Sequence, residues 1–459
     1  MGHILIISFS TWPSNSKQGR ILGNIIKALG PRFDADVLTI RESDMGYIEK
    51  VNRTRLLRVP VGEQYSQQVE AFQRAISRQL DSDEYDIIHF RSPWAGNVIA
   101  QKLQYFDSKI IYEPALGRNL MADAAMSTRL EEMEQISIDL ADLIIVASTY
   151  QATYLKEKLG VTKPIHIIAP GVDVDQFDWD VTTGLTRMDL IWVDNFNDLS
   201  ITDFVFNSLS RIIKTKPDFR AGLVGFVNQD IASELMKQVE KAGLIDAIKF
   251  FGPQDTDALP LLMSRAKMGL VSPHINYNTL IPRFDCMNIL EYMSCRTVTI
   301  APSNPFTTEI TQNGSLAYLY NASLPDSLTY CIESILSDPE KAAETARTAY
   351  YTTRNRYTAS EMRRRMLYAY AELMPPVSIE DGLLSQTDDR PHTISWQGKK
   401  TSSTGSGSHI PTVLTEGQSN VNEISLDIED IEFEASGVLL GMDVEKHDEE
   451  TDPFQPVRY

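Results

Sequence analysis

One stretch of the 459-residue chain decides its fold: Leu270-Val-Ser-Pro-His274, followed by Pro282-Arg-Phe-Asp-Cys-Met-Asn-Ile-Leu-Glu-Tyr-Met-Ser-Cys-Arg-Thr-Val-Thr-Ile-Ala-Pro302. It predicts a strand over Met268–Val271, a loop, a helix over Ile289–Cys295 and a strand over Thr297–Ile300. Both strand segments are continuously apolar, as expected for strands buried on both faces of a parallel sheet. The stretch therefore predicts a βαβ unit.

The same alternation of short apolar strands and longer amphipathic helices continues in both directions from this stretch. The other predicted strands are Ile4–Ser8, Asp36–Ile40, Ile87–Phe90, Lys109–Tyr112, Leu143–Ala147, Ile165–Ile168, Asp189–Val193, Ala221–Val224, Ile248–Phe251 and Ala317–Tyr320. Two such halves, joined near Gly171–Trp179, predict two doubly wound domains that face each other across a cleft. We predict the domains to span residues 1–178 and 179–355, with a helix over 356–374 that packs back on the body.

The negative charge of the chain is unevenly distributed. The formal net charge is −19, but residues 375–459 hold seventeen acidic and five basic residues, so this tail carries −12 and the body only −7. The tail is also low in complexity, as at Thr401–Ser408, which predicts disorder. Within it, residues 423–433 alternate apolar and polar side chains, which is typical of a strand that needs a sheet edge as its partner.

Composition also excludes several classes of protein. An acidic surface argues against nucleic-acid binding, which requires positive faces. Three cysteines without a C-x-x-C pair do not form a disulfide framework or a cysteine zinc site. The start of the chain lacks the basic region of a signal peptide, and no apolar run approaches a membrane span, so we expect a cytoplasmic protein with at most peripheral membrane contact.

The quoted stretch resembles the GT-B glycosyltransferases, particularly the large retaining group classed as family 4. In that family a proline-ended strand and a loop precede a helix with a glutamate, then small residues and a strand ending in Ala or Ser; Glu291-Tyr-Met-Ser294 and Val298–Ala301 match that pattern. Further matches at the expected spacings are Gln18-Gly-Arg20, Tyr85–His89, Leu140–Ser148, Pro170–Phe177, Lys249–Gly252 and Glu309–Gly314. The resemblance covers about 370 residues and implies the GT-B fold.

The resemblance implies an enzyme that moves a sugar from a nucleotide-diphosphate sugar to a glycan, a lipid-linked glycan or another hydroxyl, with retention, without a metal ion and with no tightly bound cofactor. Glu291 would hold the ribose hydroxyls, while Asn288 and Arg283 would face the donor sugar. Arg20 or Arg118 would neutralise the phosphates, and Glu113 is a candidate acid or base at the end of a strand. The remaining candidates for the donor site are Gly19, His274, Asn195, Ser200 and Glu309.

Several positions depart from the family pattern. Arg283 replaces a carboxylate, Asn195 and Ser200 replace the Arg and Lys that grip the diphosphate, and Pro114-Ala115 occupies the place expected for a histidine. Because Asp194 and Asp198 lie beside the lost cations, a diphosphate would be costly to bind there. These changes leave a second hypothesis open, in which the chain is a degenerate subunit that acts as a partner or scaffold.

The tail fits both hypotheses. Its alternating segment at 423–433 suits recruitment of a protein partner by strand addition, or an intramolecular clamp across the cleft in which acidic groups mimic phosphates. A tail that only improves solubility remains the alternative. The sequence does not identify the donor base, the sugar or the acceptor.

Overall fold

The structure is a computed structural model of the whole chain. It describes residues 2–374 apart from 15, 31, 43, 63, 116–123, 179–187, 197–198, 200, 226–228, 256, 274 and 277–279. The acidic tail, with its segment at 423–433, lies outside the described residues, and so do Arg118, Ser200 and His274.

The first sheet has eight strands in the order β3-β4-β2-β1-β5-β6-β7-β8. All neighbouring pairs are parallel except β3 with β4. The strands are β1 (His3–Thr11), β2 (Asp34–Ile40), β3 (Ile48–Val51), β4 (Thr54–Val59), β5 (Ile87–Phe90), β6 (Lys109–Tyr112), β7 (Leu143–Val146) and β8 (Ile165–Ile167). The strand order reverses between β1 and β5, where doubly wound folds bind their ligands.

The second sheet has six parallel strands in the order β11-β10-β9-β12-β15-β16. They are β9 (Met188–Val193), β10 (Ala221–Val224), β11 (Ile248–Phe250), β12 (Ala266–Leu270), β15 (Val298–Pro302) and β16 (Tyr318–Tyr320), and a short ribbon joins β13 (Ile275–Asn276) to β14 (Arg283–Phe284). Its order reverses between β9 and β12. The predicted domain boundaries remain predictions.

Helices cover both faces of each sheet. They are α1 (Lys17–Leu29), α2 (Tyr65–Ser82), α3 (Pro93–Lys102), α4 (Ala124–Leu140), α5 (Thr149–Glu157), α6 (Thr202–Thr215), α7 (Gln229–Lys241), α8 (Ala258–Ser264), α9 (Met287–Ser294), α10 (Pro305–Ile310), α11 (Ser327–Ser337), α12 (Pro339–Arg356) and α13 (Ala359–Leu373). Each sheet therefore separates two apolar clusters, which explains the continuous apolar strands. The α/β fold with two doubly wound units is confirmed.

Two segments of the second half pack against the first. Helix α13 buries Met366, Ala369 and Tyr370 in the same apolar cluster as α1. The loop before α9 inserts Ile281, which is fully buried, into the cluster under α2 and α3. These contacts join the two sheets into one body.

The sequence does not predict the β3–β4 hairpin or helix α12. Strand β3 is exposed along most of its length and charged at Glu49 and Lys50, so it has no apolar run. The hairpin turns at Asn52, which adopts a φ of 56° in the left-handed region. Helix α12 buries mainly small side chains, such as Ala342 and Ala346, and lacks the stripe of large apolar residues that marks an amphipathic helix.

Among the helices that the structure describes, none combines the length and the apolarity that a membrane span requires.

Candidate functional site

The carboxyl ends of the central strands face each other across the cleft. In the first sheet, Arg91 directly follows β5, and α1 begins shortly after β1. In the second sheet, Asp194 follows β9 and Ser272 lies just beyond β12. The region where a doubly wound fold binds its ligand is therefore lined by Arg91, the first turn of α1, Asp194 and Ser272.

The first turn of α1 approaches the second sheet closely. Ser16 caps the helix, since its hydroxyl accepts a hydrogen bond of 3.0 Å from the Gly19 amide. A Cβ at Gly19 would lie 2.6 Å from the Ser14 carbonyl oxygen, so the turn requires glycine. Gly19 thus shapes the turn that presents Lys17 and Arg20.

Glu291 lies on α9 with no solvent exposure and forms an ion pair with Arg20. Burial raises the pKa of the Glu291 carboxyl above its ordinary value, although the charges of Arg20 and Lys17 oppose that shift. Among the described residues, the Oε2 atom of Glu291 has no hydrogen-bond partner. The carboxylate therefore keeps one acceptor position in a buried site.

Asn288 lies one helical turn before Glu291, so the two side chains share a face of α9. Its Nδ2 donates a hydrogen bond of 2.6 Å to the Val193 carbonyl oxygen at the end of β9. Its Oδ1 is buried and has no partner among the residues that the structure describes. The face of α9 thus holds two buried oxygen acceptors, on Asn288 and Glu291.

Lys17 is the second cation at this site. Its Nζ lies 3.4 Å from Asp285 Oδ2, and the Lys17 side chain is 26% exposed. Burial lowers the pKa of Lys17, but the charges of Asp285, Asp194 and Glu291 outweigh that effect and raise it. Two cations of the first half therefore face Glu291, while Asp194 and Asp285 flank them.

A second cluster lies on the wall formed by the first sheet. Arg91 Nη2 donates hydrogen bonds to Glu113 Oε1 at 2.8 Å and to Gln18 Oε1 at 3.3 Å. Glu113 Oε2 also lies 3.2 Å from Nε2 of the buried His89. Burial alone would raise the pKa of Glu113, but Arg91 and His89 outweigh it and lower that pKa to about 2. Glu113 is therefore ionised at neutral pH. An ionised carboxylate is better suited to hold Arg91 than to act as a general acid.

Arg283 is 2% exposed, and its guanidinium contacts the first half of the molecule. It forms an ion pair with Glu134 of α4 and donates a hydrogen bond of 3.2 Å to the Tyr112 hydroxyl. Glu134 also accepts a hydrogen bond of 3.1 Å from the Ile281 amide. These contacts anchor the loop before α9, whereas the sequence predicts that Arg283 faces the donor sugar. That donor contact remains a prediction.

Glu309, also predicted for the donor site, caps a helix of the first half. Its two carboxylate oxygens accept hydrogen bonds from the amides of Thr149, at 2.8 Å, and Tyr150, at 3.1 Å, in the first turn of α5. A carboxylate at this end of a helix is favoured by the helix dipole. The structure therefore shows Glu309 joining the two halves.

The structure brings only part of the predicted set together. Glu291, Asn288, Gly19 and Arg20 lie at one place in the cleft, and Glu113 lies on the adjacent wall. Asn195 is exposed at the end of β9. Arg118, Ser200 and His274 lie outside the described residues.

Lys17 is not among the residues predicted from the sequence, although the sequence holds a signal for it. Lys17 and Arg20 are both basic residues of the first turn of α1, where the helix dipole disfavours positive charge. Cations in that position need acidic partners from elsewhere in the fold. The structure supplies them as Asp285 and Glu291.

Two family models match the chain. Glycosyltransferase Family 4 matches residues 18–176, and Glycosyl transferases group 1 matches residues 195–352. Together they cover more than two thirds of the chain. No curated protein matches it.

Solved structures share the fold at low sequence identity. Sucrose-phosphate synthase from Thermosynechococcus elongatus is 17% identical, with a TM-score of 0.69 over 81% of this chain and 99% of that chain. HepE of Anabaena in complex with UDP-glucose is 17% identical, with a TM-score of 0.63 over 81% of this chain and all of the other. The Escherichia coli protein described as trehalose-6-phosphate bound with UDP-2-fluoro glucose is 11% identical, with a TM-score of 0.59 over 81% and 98%.

Proposed function

Because this chain belongs to the GT-B glycosyltransferases and is a transferase enzyme, we propose that it moves a sugar from a nucleotide-diphosphate sugar to a hydroxyl of a glycan or lipid-linked glycan. We further propose that the transfer retains the anomeric configuration and needs no metal ion. UDP-bound neighbours with the same fold support a nucleotide sugar as donor.

One observation carries the proposal: Lys17 and Arg20 face Glu291 across the cleft. In this proposal Glu291 accepts hydrogen bonds from the ribose hydroxyls through its unpartnered oxygen. Asn288 accepts hydrogen bonds from the donor sugar through its own unpartnered oxygen. The two cations lie beside them, on the wall that would face the diphosphate.

The cations explain how a diphosphate is held without the Arg and Lys of the family pattern. Asn195 stands in the place of that arginine, and α1 supplies positive charge from the opposite wall. As the bond to the leaving phosphate breaks, negative charge grows on the diphosphate, and fixed cations in a partly buried site stabilise it. This electrostatic role is the basis for proposing a reaction without a metal ion.

The wall of Gln18, Arg91 and Glu113 faces the acceptor in this proposal. The ionised Glu113 holds Arg91 in one orientation, and both residues follow strands of the first sheet. Arg283 acts indirectly, since it anchors the loop that leads into α9 and so sets the position of Asn288 and Glu291. The loop's contact with Glu134 supports that role.

Calorimetry of the full chain against a panel of nucleoside diphosphates and nucleotide sugars tests the proposal. We expect at least one member to bind, and Glu291→Gln to weaken that binding about tenfold or more, because one charge-assisted acceptor is lost. Glu333→Gln, a change at an exposed glutamate of α11, is the matched control. If no member binds, the donor role of Glu291 is wrong, and the degenerate scaffold becomes the better hypothesis.

Product analysis tests the finer statements. With the donor that binds, NMR of the first product reports the anomeric configuration, and inversion would contradict the proposed retention. A reaction rate that falls after treatment with a chelator, and that returns with a divalent ion, would contradict metal independence.

A further inference from the structure

We propose that residues 423–433 of this chain add as an extra strand to the free edge of its own first sheet, alongside β3. The proposal concerns a surface remote from Glu291 and does not depend on the proposed function. It rests on the edge itself, on the groove beside that edge and on the charges of both partners.

Strand β3 ends the first sheet, since it pairs with β4 alone. The Arg58 amide donates a hydrogen bond of 2.8 Å to the Tyr47 carbonyl oxygen, so the edge extends to Tyr47. In an antiparallel pair, the amide and carbonyl groups of one residue point toward the partner strand, and those of the next residue point away from it. The amide and carbonyl groups of Ile48 and Lys50 consequently point away from β4 and can pair with a further strand.

The side chains at this edge are unusually apolar for exposed positions. Tyr47 is 58% exposed and Ile48 is 69% exposed. Next to them a groove of about 500 Å³ separates the β3–β4 hairpin from α2, and its floor includes Leu38, Leu57 and Val59. A strand added to β3 with its apolar face toward α2 would cover Ile48 and extend the core beneath α2.

The segment at 423–433 matches this surface in pattern and in charge. Ile424, Leu426 and Ile428 share one face of an extended strand, with polar residues on the other. The segment carries five acidic residues and no basic residue. Arg74 and Arg78 line the groove as exposed cations, and Arg74 lies 3.7 Å from Glu70 on the same helix. A third arginine of the lining, Arg58, is buried and already paired with Glu49, and none of the described residues that line the groove is acidic. Opposite charges therefore favour this pairing.

Another sheet edge also lies beside an apolar groove, but the charge of its lining residues differs from that beside β3. The groove of about 580 Å³ beside β16 is also apolar, with Leu324 and Tyr330 exposed. Its charged lining residues are Asp326 and Lys341, so it offers no net positive charge. An acidic strand consequently favours β3 over β16.

The connection to the body is long enough for the segment to reach either edge. Forty-eight residues separate Met374 from Glu423. Fully extended, they would span roughly 160 Å, far more than the size of the body. A tethered strand has an effective concentration in the millimolar range, so even weak pairing is populated.

Hydrogen exchange of the full chain tests the proposal at single amides. We expect the amides of Ile48 and Lys50 to exchange at least about tenfold faster in the variant Ile424→Lys/Leu426→Lys/Ile428→Lys than in the wild type. The control Val413→Lys/Leu414→Lys makes the same kind of change elsewhere in the tail and should leave both rates unchanged. Arg74→Glu/Arg78→Glu should also raise both rates, and a synthetic peptide of residues 421–435 should restore protection to the triple-lysine variant.

Three results would overturn the proposal. The first is equal exchange of Ile48 and Lys50 in the wild type and the triple-lysine variant. The second is protection that disappears on dilution, since a second copy would then supply the strand. The third is protection of β3 by phosphatidylcholine–phosphatidylserine vesicles in both proteins with none in their absence, which would assign the edge to a membrane surface.

Discussion

Lys17 and Arg20 occupy the helix end that least tolerates positive charge. Each basic residue in the first turn of a helix opposes the dipole by up to about 1 kcal/mol. Their acidic partners offset that cost: Asp285 lies 3.4 Å from Lys17, and the buried Glu291 pairs with Arg20. An arrangement that costs local stability and gathers two cations in a cleft fits a ligand that carries several negative charges.

Replacing Lys17 by Gln tests the role of that cation. We expect the affinity for the nucleotide donor to fall by about tenfold, because a charge-assisted contact to phosphate is lost, and the salt dependence of binding to become shallower. Calorimetry at two salt concentrations measures both effects. Lys27→Gln, a change at an exposed position in the last turn of α1, is the control. Unchanged affinity in the Lys17 variant would mean that the diphosphate is held elsewhere.

Glu113→Gln is expected to destabilise the protein in a pH-dependent way. The pKa of Glu113 is about 2 in the fold, against an ordinary value of 4.5. The ionised carboxylate therefore contributes stability above pH 4.5, and this contribution is lost as the pH falls toward 2. We expect the variant to lose about 3 kcal/mol at pH 7 and roughly half of that near pH 3.

Urea unfolding at several pH values measures that difference. For Glu333→Gln, the difference from the wild type in the free energy of unfolding should not depend on pH, since this residue is exposed. A constant gap between wild type and the Glu113 variant across the pH range would mean that Arg91 and His89 do not lower the pKa of Glu113. Normal donor binding by the folded Glu113 variant would agree with the proposal that this wall faces the acceptor.

At the scale of elements, the loop before α9 connects the site to the first half of the molecule. Ile281 is buried under α2 and α3, and Arg283 pairs with Glu134 of α4. The same loop carries Asp285, the partner of Lys17. Its anchoring therefore fixes the start of α9 and the position of the charges around Lys17.

A double-mutant cycle on Arg283 and Glu134 tests that anchor. We expect Arg283→Met or Glu134→Gln alone to cost about 3–5 kcal/mol, because each leaves a buried group without its partner. The double variant should cost clearly less than the sum of the two. Denaturant unfolding measures the three values. Additive effects would contradict a direct buried pair, and Arg211→Met with Asp326→Asn, an exposed pair, is the control.

The sequence predicts the buried elements well and the exposed ones poorly. The predicted strands Ile87–Phe90, Lys109–Tyr112 and Ala221–Val224 agree with the structure residue for residue, because each is a mainly apolar segment that is buried over most of its length. The β3–β4 hairpin is not predicted, since an exposed edge strand with Glu49 and Lys50 has no periodic apolar signal. The periodicity of apolar residues reflects burial, so it gives no signal for an element that lies exposed at the edge of the fold.

The candidate site shows the same division. Glu291 and Asn288 are predicted from the sequence because they lie in a local motif of spaced residues on one helix, and their roles stay predictions. Lys17 is missed because its significance depends on Asp285, 268 positions away in the chain. For the same reason the sequence does not reveal that Glu309 caps α5 or that Arg283 contacts Glu134. Pairs between the halves are properties of the assembled fold.

At the scale of the whole molecule, several unrelated contacts join the two sheets. Glu309 caps α5, Arg283 pairs with Glu134, Arg20 pairs with Glu291, and α13 returns from the second half to pack on α1. These contacts involve three different helices of the first half, α1, α4 and α5. A body joined in this way should not melt as two independent domains.

Calorimetric unfolding of the full chain tests this coupling. We expect one cooperative transition for both halves, with equal calorimetric and van't Hoff enthalpies, since the contacts between halves are too numerous for either half to unfold alone. The double variant Arg283→Met/Glu309→Ala removes two of those contacts and should split the transition into two. The double variant Arg211→Met/Glu333→Ala changes exposed residues and should preserve a single transition.

A donor that binds across the cleft contacts both halves. At 100 times its Kd, such a donor should stabilise the wild type by about 2.7 kcal/mol. It should also bring the two transitions of the Arg283→Met/Glu309→Ala variant closer together in temperature. Two transitions in the wild type without ligand would show that the halves are only loosely joined, and a donor that raised one transition alone would show that it binds one half of the molecule.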